Sequence, residues 1–413
     1  MKKLTKIIVL IGLIIFYTYI VALDHIPDHI VIFEGENLNV KTMLGLDLGM
    51  AEEKKNEEII QTSVTTGKTT IKQTGTSLLQ VSLFDQIPVK QVQVEVLPKT
   101  KVIPVGSIAG VKLYTSGVLV VGMSEIEGED HKKYRPYENS GIQEGDTILE
   151  INRFPIHSTE DLIQTVNQSN GQEINIEYRR DEEVLACSIK PVKTDEEEYK
   201  LGLWVRDSAA GVGTVTFYEP STKTFGALGH GIMDIDTSQL INIASGEFVT
   251  SKIVNITKGE KGNPGRIQGS IDGQKNIGTI AKNTRFGIYG TVKEVGNLNL
   301  DPSKEMDVAM RDEIQTGKAK ILCSLDGQGA KEYEIEIEKI FKENNYDNKS
   351  MQIKVTDPTL LEKTGGIIQG MSGSPIIQNG KFIGAVTHVL VNNPQEGYAI
   401  FGDMMLKQAR INE

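Results

Sequence analysis

The sequence predicts a mainly β protein of two or three domains set behind an N-terminal membrane-directed segment. Three observations lead there. From about Lys200 onward the chain is a succession of short β-prone runs divided by glycines, among them Gly202-Leu203-Trp204-Val205, Gly213-Thr214-Val215-Thr216-Phe217-Tyr218 and Gly370-Met371-Ser372-Gly373-Ser374-Pro375-Ile376-Ile377, the pattern of a barrel or sandwich. Upstream, Gln91-Val92-Gln93-Val94-Glu95-Val96 alternates polar and apolar residues at the two-residue period of a half-buried strand. The length, 413 residues, exceeds what one hydrophobic core serves, and a hydrophobic content of 39% suffices for more than one.

Composition excludes several function classes. With 44 Lys+Arg against 55 Asp+Glu the formal charge is −11, which offers no basic field to nucleic acid. The two cysteines, Cys187 and Cys323, lie far apart and outside any C-x-x-C pair or histidine cluster, so neither a disulfide framework nor a zinc or thioredoxin-like site is expected. No cofactor or metal is called for. The glycine-rich stretch Gly259–Gly278 lacks the G-x-x-x-x-G-K-[ST] pattern of a phosphate loop and reads as a surface loop.

Residues 1–29 read as a signal or membrane anchor. Lys2, Lys3 and Lys6 precede an uncharged run of 17 residues, Ile7 to Leu23, ended by Asp24 and His25. As a helix this run rises about 25 Å, a little short of the roughly 30 Å hydrocarbon core, so length leaves a cleaved signal and a retained anchor both open. Ile20 is a poor −3 residue for a cut after Ala22, which favours the anchor. With the lysines on the cytoplasmic side, everything after Asp24 is expected outside the cytoplasm.

Residues 30–99 read as a small β-rich unit, with the charged Glu52–Glu58 run and the Thr-, Gly- and Lys-rich stretch Thr62–Thr76 as exposed hairpins or loops. Residues 100–193 are more specific. A glycine-bearing loop, Gly106-Ser107-Ile108-Ala109-Gly110, runs into the apolar Val111-Lys112-Leu113 and then Gly117-Val118-Leu119-Val120-Val121-Gly122. Asn139-Ser140-Gly141-Ile142-Gln143-Glu144-Gly145-Asp146-Thr147-Ile148-Leu149-Glu150-Ile151-Asn152 follows, then an amphipathic segment in which Ser158 caps a helix carrying Leu162, Ile163 and Val166. In this order the features resemble a PDZ domain. The resemblance implies a peptide-docking groove in which the loop at Gly106 and Gly110 receives a terminal carboxylate and the strand through Val111 and Leu113 pairs with an extended peptide. A groove filled by the chain's own segments is the alternative.

After the acidic linker Lys193-Thr194-Asp195-Glu196-Glu197-Glu198, residues 194–413 carry the chemistry. In Gly370-Met371-Ser372-Gly373-Ser374-Pro375, a serine on a tight glycine turn can expose its Oγ while the N–H groups of Gly370 and Ser372 converge on a developing oxyanion. The hairpin Asn379-Gly380-Lys381-Phe382-Ile383-Gly384-Ala385-Val386-Thr387-His388 supports that turn. Six histidines are candidates for the base. His25 and His29 lie beside the membrane-directed segment, His131 and His157 in the PDZ-like region, and His388 inside an apolar strand where a structural role is expected. His230, in Ala227-Leu228-Gly229-His230-Gly231, has small neighbours that leave its ring room to face a substrate, and is the base of choice. A third group should fix its tautomer, but the residues alone do not rank Asp234, Asp236, Asp272, Asp301, Asp307 and Asp357.

The lysine-flanked apolar terminus, the PDZ-like middle, Gly226-Ala227-Leu228-Gly229-His230-Gly231 and Gly370-Met371-Ser372-Gly373-Ser374-Pro375 together resemble the stage IV sporulation protein B family, serine peptidases of endospore-forming bacteria. The resemblance covers almost the whole chain. It implies a chymotrypsin-like double β-barrel serine protease domain with His230 as base, Ser372 as nucleophile and Asp357, in Val355-Thr356-Asp357-Pro358, as the orienting acid; Asp307 and Asp301 are the fallbacks. It further implies secretion into the space between the forespore membranes, self-cleavage, and cleavage of a membrane-bound regulator that releases processing of a mother-cell sigma factor precursor. Expected partners are that protein substrate, the chain itself, peptide termini at the PDZ-like groove and the membrane. The rival from another class is a non-catalytic membrane-tethered PDZ adaptor with a protease-like scaffold domain. The joint presence of His230 and Ser372 in small-residue turns favours the enzyme. An esterase with a G-x-S-x-G elbow fits poorly, because Ser374 stands where the final glycine belongs.

Overall fold

The computed structural model describes residues 10, 14, 17–21, 23, 26, 28–34, 37–38, 46–50, 69–70, 74–83, 86–293, 295–298, 300–341 and 348–410. The chain divides into two compact units, residues 1–100 with 307–314, and residues 101–306 with 315–413. The terminal lysines, most of the apolar run and the Glu52–Glu58 segment lie outside the described residues. Residues 17–21 are helical, and among the described residues no helix is long and apolar enough to cross a membrane.

In the first unit β1 (His29–Phe33), β2 (Leu46–Met50), β3 (Gly75–Leu83) and β4 (Ile87–Leu97) form a sheet in the order β1-β4-β3-β2. The alternation seen in the sequence sets its faces. Val92, Val94 and Val96 are buried with Leu79 and Val81, while Gln91 and Gln93 are exposed, as the period of the pleat requires.

The second unit opens with β5 (Lys101–Pro104), then the long β6 (Ile108–Met123), β7 (Thr147–Ile151), α1 (Thr159–Gln168), β8 (Ile174–Arg180) and β9 (Glu183–Ile189). Strands β9, β8, β7 and the C-terminal half of β6 are neighbours in one sheet. Helix α1 covers it. Ser158 and Asp161 form a reciprocal capping box at its start, and Leu162 and Val166 turn into a core with Ile148, Ile151, Ile174 and Ile176.

A ring of pairings follows. Strand β10 (Leu203–Glu219) pairs with β6 and β11 (Thr224–Ala227), β11 with β14 (Gly287–Val292), β14 with β13 (Arg266–Thr284), β13 with β12 (Ile243–Thr257), and β12 with the N-terminal half of β6. The apolar interior of the ring includes Val111, Leu113, Val215, Ile280 and Ile288, with Phe225 and Phe248 stacked at 4.5 Å. The expected loop at Gly259–Gly278 is therefore corrected, because from Arg266 onward it is β13. Gly278 fits there because a Cβ would lie 2.2 Å from Thr291 O, so only glycine lets β14 approach.

A second, closed barrel is built from β15 (Gly317–Cys323), β16 (Lys331–Ile340), β17 (Met351–Val355), β18 (Pro375–Gln378), β19 (Lys381–Leu390) and β20 (Asn393–Phe401), with α2 (Pro358–Thr364) before β18 and α3 (Gly402–Arg410) after β20. The β18–β19 turn has Asn379 and Gly380 at φ 52° and 75°, the left-handed pair that a two-residue hairpin demands.

The ring overturns the expectation that Gly106, Gly110, Val111 and Leu113 form a peptide-docking groove. Gly110 through Leu113 pair with Val212 through Ala209 on one edge and with Val249 through Gly246 on the other. With both edges taken, no main-chain group is left for an added peptide strand. Gly106 is likewise spent: its N–H donates to Val215 O (2.9 Å), its C=O accepts from Ser324 N (3.0 Å), and a Cβ there would meet Leu322 O at 2.7 Å.

Candidate active site

Two tight turns bring the chemistry together. Strand β11 ends at Ala227 and the chain passes through Leu228 (φ 70°) and Gly229 (φ 71°) to present His230. A left-handed leucine is strained backbone of the kind that persists where packing over-determines it, and here Leu228 N donates to Thr214 O (3.2 Å). The serine turn before β18 has Gly370 at φ 98° and Gly373 at φ 93°. A Cβ on Gly373 would lie 2.3 Å from Thr214 O and 2.5 Å from Leu228 N. Only glycine allows the serine turn to seat against the histidine turn.

His230 and Ser372 line one cleft of about 550 Å³, together with Ala209 through Gly213 of β10, Gly370, Thr387, His388 and the apolar Val111, Leu113, Leu228 and Ile232. The side chain of His230 reaches Gly231 O through Nδ1 at 2.9 Å. A carbonyl only accepts, so Nδ1 carries the proton and Nε2 keeps the lone pair of a general base. Burial holds the imidazole below its ordinary pKa, partly opposed by the Gly231 carbonyl. The ring is therefore neutral and basic near pH 7. Ser372 Oγ donates to Thr387 O at 2.9 Å. Around it Met371 N, Gly373 N and Ser374 N donate to Ile368 O, Val386 O and Met371 O, whereas the N–H groups of Gly370 and Ser372 donate to no acceptor among the described residues. They are the pair the sequence nominated for the oxyanion. Ser374, the neighbouring serine, is fully buried.

Asp357, which the resemblance implies as orienting acid, makes no hydrogen bond to His230 among the described residues. It is the N-cap of α2: its carboxylate accepts from Thr359 N (2.9 Å), Leu360 N (3.0 Å) and Glu334 N (3.3 Å), and it is absent from the cleft lining. The Asp-Pro pair at the head of a helix is a capping signal before it is a catalytic one. Of the other aspartates, Asp301 caps a short turn through Ser303 N (3.0 Å), Asp307 is exposed, and Asp234 and Asp236 both pair with Arg206. Asp272 lies on β13, its side chain outside the described residues. Among the described residues no carboxylate meets His230.

Sequence reasoning misread His388. A register shift between Val386 and His388 turns its ring out of the barrel, where it is exposed on the cleft wall 5.6 Å from the ring of His230. A bulge at that point leaves no mark in the apolar pattern of β19. Asp234, one of the unranked candidate acids, has a buried carboxylate. Burial works against its charge, but the N–H groups of Thr237 and Asp236 and the Arg206 guanidinium hold it below the usual carboxylate range. Arg206 thereby ties β10 to the loop that follows His230. Among the described residues no cluster of three or more His, Cys, Asp or Glu has the geometry to hold a metal ion.

Known proteins can be set beside this geometry. Over 112 residues the chain is 22% identical to a Clostridium perfringens protein whose name describes it as a zinc metalloprotease, covering 26% of this chain and 33% of that protein. It thus spans about a third of that curated relative's length. Among solved structures, the PDZ domain of an SdrC-like protein from Listeria monocytogenes is 20% identical over 22% of this chain and 87% of its own, with a TM-score of 0.18. The Rv3671c protease from M. tuberculosis in its active form is 14% identical over 48% of this chain and 73% of its own, with a TM-score of 0.30. Residues 114–190 match the PDZ domain family. Residues 197–406, half of the chain and the part that bears His230 and Ser372, match the family described as SpoIVB peptidase S55, and the chain belongs to that family of serine peptidases.

Proposed function

We propose that this chain is a serine endopeptidase acting on protein substrates, with Ser372 as nucleophile, His230 as base, and the N–H groups of Gly370 and Ser372 as the oxyanion hole. The observation that carries the reading is the shared cleft: a neutral histidine with Nε2 unprotonated, a serine hydroxyl, and two undirected turn N–H groups lie on its wall. His230 removes the proton as Ser372 Oγ attacks the peptide carbonyl, the turn N–H groups receive the negative oxygen, and His230 then protonates the leaving amine. The β10-to-β14 ring and the closed barrel correspond in this reading to the two halves of a chymotrypsin-like protease. Its tautomer-fixing group is the Gly231 carbonyl.

The family membership and the PDZ domain support a role in sporulation signalling, in which the exported enzyme, released into or anchored facing the forespore intermembrane space, cleaves itself and then a membrane-bound regulator of sigma factor processing. Labelling of the full chain with a fluorophosphonate tests the chemistry. Wild type and Ser374→Ala should label, while Ser372→Ala and His230→Ala should not. A folded wild type that fails to label favours the non-catalytic PDZ adaptor.

A further inference from the structure

We propose that the open edge of β10 is a rail on which the substrate main chain docks as an added strand, paired with Ala210 and Val212. This deepens the endopeptidase reading and rests on it. The register of β10 on β6 is unbroken from Ser208–Tyr114 to Thr214–Ile108. At its downstream end Thr214 N donates to Ser372 O (3.3 Å) and Thr214 O accepts from Leu228 N (3.2 Å), so the main-chain groups of Thr214 point away from β6. In an antiparallel ladder this direction alternates residue by residue. Val212 and Ala210 therefore present their N–H and C=O on the same side as Thr214, and there nothing among the described residues pairs with them.

That side is the cleft, whose wall runs from Ala209 through Gly213 to His230 and Ser372. The rail thus begins beside the main chain of the nucleophile. Its small side chains leave the backbone uncovered, Ala210 and Gly211 are exposed, and a Cβ added at Gly211 meets nothing within 4 Å, so packing does not demand glycine there. Natural proteins shield such edges with charges or proline, and among the described residues the cleft lining carries no Asp, Glu, Lys, Arg or Pro. Main-chain pairing fixes the path of the chain, and the uncharged lining selects uncharged, aliphatic side chains around the bond that is cut.

Oxidised insulin B chain, an unfolded and unrelated polypeptide, is digested with the full-length protein and the cut bond located. Peptides spanning that bond are then made with a single N-methyl group at each residue in turn. The rail predicts a loss of about tenfold in kcat/KM at two N–H groups two residues apart on one side of the bond, with the residue between them tolerated. Ala210→Pro removes a donor of the rail and no β6 bond, since proline is accepted where a strand's N–H faces outward. It should raise KM about tenfold on the same peptides with kcat retained. A methylation profile without two-residue alternation overturns the rail, as does failure to cut the B chain while Ser372 still reacts with fluorophosphonate. No reaction at Ser372 in the folded chain instead removes the peptidase reading, and the rail with it.

Discussion

Asp357→Asn separates two readings of the same aspartate. If Asp357 orients His230, the amide should trap the imidazole in the wrong tautomer, a change that costs about 10⁴ in kcat in the chymotrypsin case. The structure gives it other work. Its Oδ1 takes the N–H groups of Thr359 and Leu360 at the head of α2, its Oδ2 takes Glu334 N, and His230 has already committed Nδ1 to Gly231 O. Asparagine caps a helix about as well as aspartate, so Asp357→Asn should change stability by only a few tenths of a kcal/mol, whereas Asp357→Ala should cost about 1 kcal/mol. For a unit of this size, at about 2.1 cal/mol/K of unfolding entropy per residue, that corresponds to a fall in Tm of roughly 1.5 °C. The assay is the rate of fluorophosphonate labelling beside a thermal melt of each variant. Both variants should label within about twofold of wild type after allowance for any unfolded fraction, because neither touches the cleft. A thousandfold slower Asp357→Asn with an unchanged Tm would instead place the aspartate in the site.

Other outcomes follow from the same geometry. Burial lowers the folded pKa of His230, so the base stays unprotonated to a pH below the ordinary histidine value of about 6.5; the labelling rate should hold as pH falls to that value and drop only below it. A midpoint at or above 6.5 would mean a carboxylate faces the ring in solution. Arg206→Leu leaves Asp234 buried at 1% side-chain exposure without its cation, a loss of about 3 kcal/mol that urea denaturation reads directly; the accompanying loosening of the loop after His230 should slow labelling in the fraction that remains folded. Ser374→Ala removes a buried Oγ that has no hydrogen-bond partner among the described residues and should be neutral or stabilising by up to about 1 kcal/mol; a destabilisation of that size would show the hydroxyl is satisfied. The Cys323 thiol, its pKa pushed up to about 12 by burial, should resist iodoacetamide at pH 8 in the native protein and react once urea unfolds it, and fast native alkylation would contradict its burial.

The strand alternation at Gln91–Val96, the Ser158 cap with its Leu162 and Val166 face, the Asn379-Gly380 hairpin and the two glycine turns bearing His230 and Ser372 were all legible in the sequence. Each is a local pattern whose physical cause lies within a few residues: a pleat, a cap, a left-handed turn. What tertiary structure alone decided was which edges are free. The strand through Val111 and Leu113 reads as a peptide-docking edge until β10 and β12 close on both its sides, whereas residues 209–213 of β10 keep one partner among the described residues and lie with their other edge along the cleft. Asp357 lay in an Asp-Pro pair that could serve a helix or a histidine, and only the placement of α2 directs its carboxylate to backbone N–H groups. Hydrogen-bond capacity is a local property of every residue, but whether it is already used depends on strands that are distant in sequence.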